Sequence, residues 1–258
     1  IEVDVVTMDI HMPKLNGFDA TRRIMETKPL PIIIVSNTWE QSNVEKTFRS
    51  VEAGAVAFVG KPAGPGLLHS EEEAADLLRM IKAMAGVQVV KRMHKTEPKN
   101  EPLHNGLAKR VSVVVIGAST GGPNVIKDIL EALPHFNVPI LIVLHISCGF
   151  AEGLAHWLNE STALEVKLAE QGEQLRANCC YIAPENYHMK INDQHRIVLS
   201  SEAPRNYIRP AVSCLFSSVG KVYKNSLAAV LLTGMGVDGA AELKALRDAG
   251  ALTIIQDE

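Results

Sequence analysis

Apolar and polar positions follow two rhythms along the 258-residue chain. Short strand-like apolar runs rich in Val and Ile occupy residues 3–8, 32–35 and 57–59, then 113–116, 139–144, 179–183, 228–232 and 252–255. Segments with apolar positions at helical spacing lie between them, at 17–27, 71–84, 123–132 and 240–249. A strand that is apolar at every position is buried on both faces, as in a parallel sheet covered by helices on either side. The pattern predicts an α/β protein of two doubly wound parallel-sheet domains.

Residues 91–110, KRMHKTEPKNEPLHNGLAKR, break both rhythms with two prolines and no apolar periodicity. This stretch is predicted to be a solvated, semi-extended linker. The expected organisation is a first domain at 1–84, a linker at 85–110 and a second domain at 111–258.

Composition narrows the function. At 47% hydrophobic and 21% charged, the chain suits domains that bury their own cores. Its formal charge of -3 divides unevenly. Residues 1–84 carry 9 basic and 12 acidic side chains, 85–110 carry 6 and 2, and 111–258 carry 11 and 15. Neither domain offers the broad positive face that duplex binding needs, so nucleic acid is not an expected partner. No apolar run reaches the roughly 18 to 20 residues of a membrane helix, and no signal peptide opens the chain. A cytoplasmic protein without membrane insertion is the expectation. Four cysteines (Cys148, Cys179, Cys180, Cys214) lack CxxC spacing and read as reduced core residues.

Three strand ends in the first domain carry chemistry. VDVVTMDIHMPKLNGFDATRRI ends a strand with Asp9, PIIIVSN ends one with Ser36, and AFVGKP ends one with Lys61. A carboxylate at the carboxyl end of a parallel strand sits where open α/β sheets bind ligands, although an aspartate there also serves to cap its loop. An acid, a hydroxyl and an ammonium on one sheet edge make the ligand reading the stronger one. The motifs MDIHMPKLNGFDA, IIIVSN and FVGKP resemble the response-regulator receiver domain, which has a flavodoxin-like fold. The resemblance implies that Asp9 accepts a phosphoryl group from a histidine kinase with the help of Mg²⁺. It further implies that Ser36 is the switch hydroxyl and Lys61 the cation that pairs with the phosphate. Receivers hold the metal with an acidic pair at the end of their first strand, and this chain opens at what corresponds to the third. The sequence thus reads as a fragment whose first strands are missing, in which Asp9 supplies part of a Mg²⁺ site.

In the second domain, VVVIGASTGGP (113–123) runs a buried strand into a glycine-rich turn. A dinucleotide fingerprint needs a small second glycine for the pyrophosphate and an acid about 20 residues on. Here Ser119 holds the middle position and the next strand ends in His145, so a nucleotide-binding oxidoreductase attached to the receiver survives only as a rival. The same letters fit G-x-S-x-G as Gly117, Ala118, Ser119, Thr120 and Gly121, between a strand and a helix, which is the setting of a nucleophile elbow. A serine there can equally cap the helix. His145 in LIVLHISCGF and Asp238 in LLTGMGVDGA follow later strands, so hydroxyl, imidazole and carboxylate reach one edge of the sheet. Their order, Ser, His, Asp, differs from that of α/β-hydrolases.

Together, VIGASTGGP, HISCGF, CYIAPENYHM, IRPAVSCLF and LLTGMGVDGA, behind a receiver and a linker, resemble the chemotaxis protein-glutamate methylesterase family. The resemblance spans essentially the whole chain and implies a Rossmann-like three-layer esterase domain with Ser119 as nucleophile, His145 as general base and acid, and Asp238 as orienting residue. It also implies that Thr120 and Met235 line the oxyanion and substrate site. Hydrolysis of glutamate γ-methyl esters on methyl-accepting chemoreceptors, and deamidation of receptor glutamine, follow as expectations, with no cofactor for the esterase. Phosphorylation of the receiver is expected to uncover the cleft, the 64–84 side packing near Ser119. Two positions depart from the family pattern: Leu144 stands where glutamine is usual and Ser213 where aspartate is usual. His188 reads as a surface turn in preference to a site residue. His145 and His156 lack the HExxH spacing of a metallohydrolase. A non-catalytic binding module is the second rival.

Overall fold

The computed structural model describes residues 3–36, 48, 50–62, 64, 70–87, 89, 111–205, 207–232 and 237–256. The predicted linker at 91–110 and Met235 lie outside the described residues.

The first domain builds a parallel sheet in the order β1-β2-β3 from Val6–Asp9, Ile32–Ser36 and Ala57–Gly60. Ile32, Ile33 and Ile34 of β2 are fully buried because the strand is central and covered on both faces. Helix α1 (Gly17–Thr27) starts where the Asn16 side chain accepts the Asp19 N–H at 2.8 Å. Helix α2 (Ser70–Met84) follows β3 in the chain.

The second domain is a six-stranded parallel sheet built from β4 (Val113–Ala118), β5 (Ile140–Leu144), β6 (Glu165–Leu168), β7 (Cys179–Ile182), β10 (Leu227–Leu231) and β11 (Leu252–Ile255), ordered β11-β10-β4-β5-β7-β6. Helices α3 (Gly122–Glu131), α4 (Ala151–Ser161), α5 (Val212–Tyr223) and α6 (Ala240–Asp248) pack around it. An antiparallel hairpin, β8 (His188–Ile191) and β9 (Ile197–Ser200), lies apart from the main sheet.

The sequence pattern misses the hairpin, β6, α4 and α5. Four-residue strands with mixed polarity carry too few positions to show a period. Helix α4 contains glycine, histidine and asparagine, and α5 glycine, serine and valine, all of low helical propensity, so burial of Leu154, Leu158, Leu215 and Phe216 stabilises them. Cys179, Cys180 and Cys214 are buried free thiols as predicted, but Cys148 is exposed. It follows the end of β5, in the loop that opens onto α4.

One face of the second sheet buries Val115, Leu141 and Val143 beneath α5. The opposite face, with Ile116, Ile142, Ile126 and Leu154, forms a core continuous with Ile34, Phe48 and Phe58 of the first domain. Across this seam Phe48 stacks on Trp157 with ring centroids 5.1 Å apart, and Phe58 meets Phe150 at 4.8 Å. Such ring pairs contribute about 0.5–1.5 kcal/mol each beyond their buried area. Polar contacts fix the seam's register: Trp157 Nε1 donates to Glu52 Oε1 at 3.3 Å, Asn124 Nδ2 donates to the Val51 carbonyl at 2.9 Å, and Lys127 Nζ lies 3.4 Å from Glu52. Among the described residues no helix is long and apolar enough to cross a membrane.

Close packing reaches into the backbone of β4. A Cβ on Gly117 would stand 2.5 Å from Val212 Cγ1 and 3.1 Å from Leu231 Cδ1, so only glycine lets α5 and β10 approach the strand. Gly117→Ala is expected to destabilise the protein by about 1–3 kcal/mol. Denaturant unfolding measures this, and an unchanged midpoint would contradict the packing.

Candidate active site

The position of Ser119 follows from that of β4. This strand sits between β10 and β5 in the centre of the sheet. Its register pairs Ala118 with Leu144, so Ser119 and His145 are the next residues on neighbouring strands. The His145 N–H donates to the Ala118 carbonyl at 3.0 Å, which ties the two strand ends together. Beyond Ser119 the chain reverses within one turn: the Gly122 N–H donates to the Ser119 carbonyl at 2.8 Å, and Gly121 adopts φ 79°, a conformation that favours glycine. Helix α3 then begins with Pro123 in its first turn.

Asp238 reaches the site from the loop between β10 and α6. Its Oδ2 lies 3.0 Å from His145 Nε2. The same carboxylate accepts the Val212 N–H at 2.6 Å and the Ser213 N–H at 3.1 Å, both from the first turn of α5. Only 4% of the Asp238 side chain is exposed. Burial pushes its pKa up, but the hydrogen bonds from His145 and from Ser213 and Val212 outweigh burial and hold it at about 2. The positive end of the α5 dipole favours the same ionised form. A fixed carboxylate on Nε2 makes that nitrogen the donor in the neutral ring and leaves Nδ1 as the basic atom.

Ser119, Thr120 and His145 line one cleft, together with Gly121, Pro123 and Leu144. Its opposite wall belongs to the first domain: Val51, Val56, Ala57, Phe58 and Met80. The expected approach of the 64–84 side is met at Met80, and residues 51–58 add a part of the wall that was not anticipated. Met80 is the cleft residue from that segment among the described residues, and the remaining wall comes from 51–58. Leu144, in the place of the usual glutamine, is buried at the cleft's base. Ser213, in the place of the usual aspartate, contributes its backbone N–H to Asp238.

At the other predicted cluster, Lys61 Nζ lies 2.9 Å from Asp9 Oδ2, and the His11 N–H donates to Asp9 Oδ1 at 3.0 Å. Burial raises the Asp9 pKa, but the Lys61 hydrogen bond leads a set of contacts that brings it below the ordinary value. Ser36 closes β2 next to this pair in the sheet, and its buried hydroxyl has no hydrogen-bond partner among the described residues. Among the described residues no group of three or more His, Cys, Asp or Glu side chains converges as a metal site. One carboxylate already paired with a lysine does not by itself make a Mg²⁺ site.

Two residues near the site escape sequence reasoning. Glu185 accepts the N–H groups of Gly149, Phe150 and Ala151 at 2.8–3.1 Å and the Cys148 thiol at 3.1 Å. It thereby supplies, from 34 or more residues away, the cap that Phe150 cannot give to α4. The Glu185 contact, with burial second, raises the Cys148 thiol pKa to about 11, so this exposed cysteine is a weak nucleophile at neutral pH. His188, expected in a surface turn, is instead fully buried on β8. Neither role carries a signal in sequence spacing, since both contacts join residues distant along the chain.

Comparison with known proteins agrees with this architecture. Residues 114–258 match the CheB methylesterase family model, and residues 2–73 match that of the response regulator receiver domain. The protein-glutamate methylesterase/protein-glutamine glutaminase of Nitrosospira multiformis is 46% identical over 262 residues, spanning 99% of this chain and 74% of that protein. A protein of the same description from Geobacter metallireducens is 46% identical over 260 residues, spanning 98% of this chain and 75% of its own. The crystal structure of the Thermotoga maritima CheB methylesterase catalytic domain is similar with a TM-score of 0.55 and 35% identity, over 57% of this chain and 80% of that one. The chain belongs to the CheB family of protein-glutamate methylesterase/protein-glutamine glutaminase enzymes, with a response regulator receiver domain ahead of the esterase domain.

Proposed function

We propose that the enzyme hydrolyses glutamate γ-methyl esters by acyl transfer through Ser119, with His145 as base and acid and Asp238 as the orienting residue. The observation that carries this reading is the 3.0 Å pairing of His145 with a buried, ionised Asp238 at a cleft that Ser119 also lines. His145 takes the Ser119 proton as the hydroxyl oxygen attacks the ester carbonyl, then returns it to the departing methanol. Water, deprotonated by His145 in turn, attacks the acyl-enzyme and releases the glutamate carboxylate and Ser119. Backbone N–H groups in the Thr120 turn, with the Met235 loop, are assigned to the oxyanion, each donor contributing about 3 to 4 kcal/mol. Glutamine enters the same route with ammonia as leaving group. His145 and Ser119 account for the chemistry without an organic cofactor. Asp238 stays ionised throughout and stabilises the imidazolium.

The substrates assigned to it are methyl-accepting chemoreceptors, and the signal is phosphorylation of Asp9 by a histidine kinase. Control is assigned to domain contact. Val51, Ala57, Phe58 and Met80 line the same cleft as Ser119 and His145, which supports a reading in which the first domain hinders the approach of a polypeptide. Lys61 and Ser36 flank Asp9 on the sheet that carries this wall, so a new charge at Asp9 acts on the element that covers the cleft. The proposed organisation is a receiver at 1–84, a linker at 85–110 and an esterase domain at 111–258.

Three measurements test the reading. Ser119→Ala is expected to abolish labelling by a phosphonylating reagent and to lower kcat about 10⁴- to 10⁶-fold, and labelling that persists would remove Ser119 as nucleophile. A chain of residues 111–258 is expected to turn over ester about 30- to 150-fold faster than the whole protein, as an occluding equilibrium of about 2–3 kcal/mol would give. Equal rates would end the occlusion reading. Asp238, lowered to about 2 in the fold from 3.8, contributes stability that is present above about pH 4 and is lost as pH falls through 2. Acid titration of the unfolding free energy is expected to show a loss of about 2 kcal/mol over that window, absent in Asp238→Asn.

A further inference from the structure

Helix α5 begins without a capping side chain, so the N–H groups of its first residues need partners from outside the helix. Val212 and Ser213 find the two oxygens of Asp238. Ala211, the residue before them, donates its N–H to Nδ1 of His188 at 3.1 Å. One imidazole and one carboxylate therefore share the end of a single helix, at three consecutive residues.

His188 is in turn held rigidly. Its Nε2 donates to the Ala203 carbonyl at 3.2 Å, which sets the neutral tautomer with a lone pair on Nδ1. The stretch bearing Ala203 is clasped by Arg209 Nη1, which donates to the Ser201 and Glu202 carbonyls at 3.0 Å each. His188 has no exposed surface. Burial lowers its pKa, as do the charges of Lys190 and Arg209, against the opposing Ala203 carbonyl and Glu202. The ring thus stays neutral, and a second proton would set an N–H against the Ala211 N–H.

We propose that His188 is a positioning residue of the esterase, setting through the Ala211 N–H the helix end on which Asp238 is held, and with it the Asp238–His145 line. This rests on the Ser119, His145, Asp238 reading above. Among the described residues His188 makes no hydrogen bond to Ser119 or His145, so its effect passes through α5. A displaced Asp238 leaves His145 misoriented while the substrate surface is intact, so the loss falls on kcat.

The experiment compares two substitutions in the whole chain, with a peptide glutamate γ-methyl ester as substrate and released methanol as readout. His188→Asn keeps an acceptor near the Nδ1 position, whereas His188→Gln keeps only the reach toward Ala203. His188→Asn is expected to hold kcat within about threefold, and His188→Gln to lower it about 10- to 100-fold at unchanged KM. The low-field proton NMR resonance of the His145–Asp238 hydrogen bond is expected to persist in the first and shift or vanish in the second. Equal losses in both variants, losses that follow the thermal midpoint and not the resonance, or wild-type kcat in His188→Gln would each overturn the proposal. Asp238→Asn alongside separates the two levels. If it keeps wild-type kcat, the triad reading falls and takes the proposal with it; if it loses kcat while His188→Gln does not, the role of His188 alone falls.

Discussion

A carboxylate removed from water is stable as an anion only where hydrogen bonds replace its hydration, and Asp238 meets this requirement with donors from three residues, His145, Val212 and Ser213. Two of these donors are the unpartnered N–H groups of a helix end, which need an acceptor as much as the carboxylate needs donors. The exchange satisfies both sides and leaves the imidazole as the remaining partner. Burial then strengthens the His145 contact, because the electrostatic attraction acts in a low-dielectric site. An anion so held has no tendency to take the histidine proton. It keeps Nε2 as a donor and Nδ1 as a base.

The parallel sheet supplies the rest of the alignment. Register pairs Ala118 with Leu144 and Gly117 with Leu231, so β4, β5 and β10 end at nearly one level. Side chains one residue beyond β4 and β5 must meet at the sheet's carboxyl edge, where open α/β sheets place their sites. Gly117 lets α5 lie close against β4 through Val212, the residue whose N–H holds Asp238. The backbone contact and the carboxylate contact are thus two ends of one packing arrangement.

The seam between the domains joins aromatic packing to a few polar contacts. Phe48, Phe58, Phe150 and Trp157 are all buried there, which makes the seam cohesive. Glu52 meets both Trp157 and Lys127, and such partly exposed polar pairs contribute register more than energy.

How much was legible in sequence depended on whether the signal was local. Strands such as 113–116 and 140–144 and the helices at 17–27 and 240–248 announce themselves because one element contains its whole period. The placement of His145 beside Asp238, at a cleft that Ser119 also lines, could be anticipated, since each residue follows a strand end and carries a chemically distinctive group. Helix α5 was not, because its Ser, Gly and Val residues are helical only through the core they enter. His188 looked like a turn residue beside Tyr187 and became a buried strut, and Glu185 caps a helix more than 30 residues away in the chain. The chain alone therefore determined the fold class and the kinds of groups that gather at the candidate site, which depend on residue type and short spacing. Tertiary structure decided which hydrogen-bond donors meet which acceptors, because a buried polar group takes its partner from whatever folding brings alongside it.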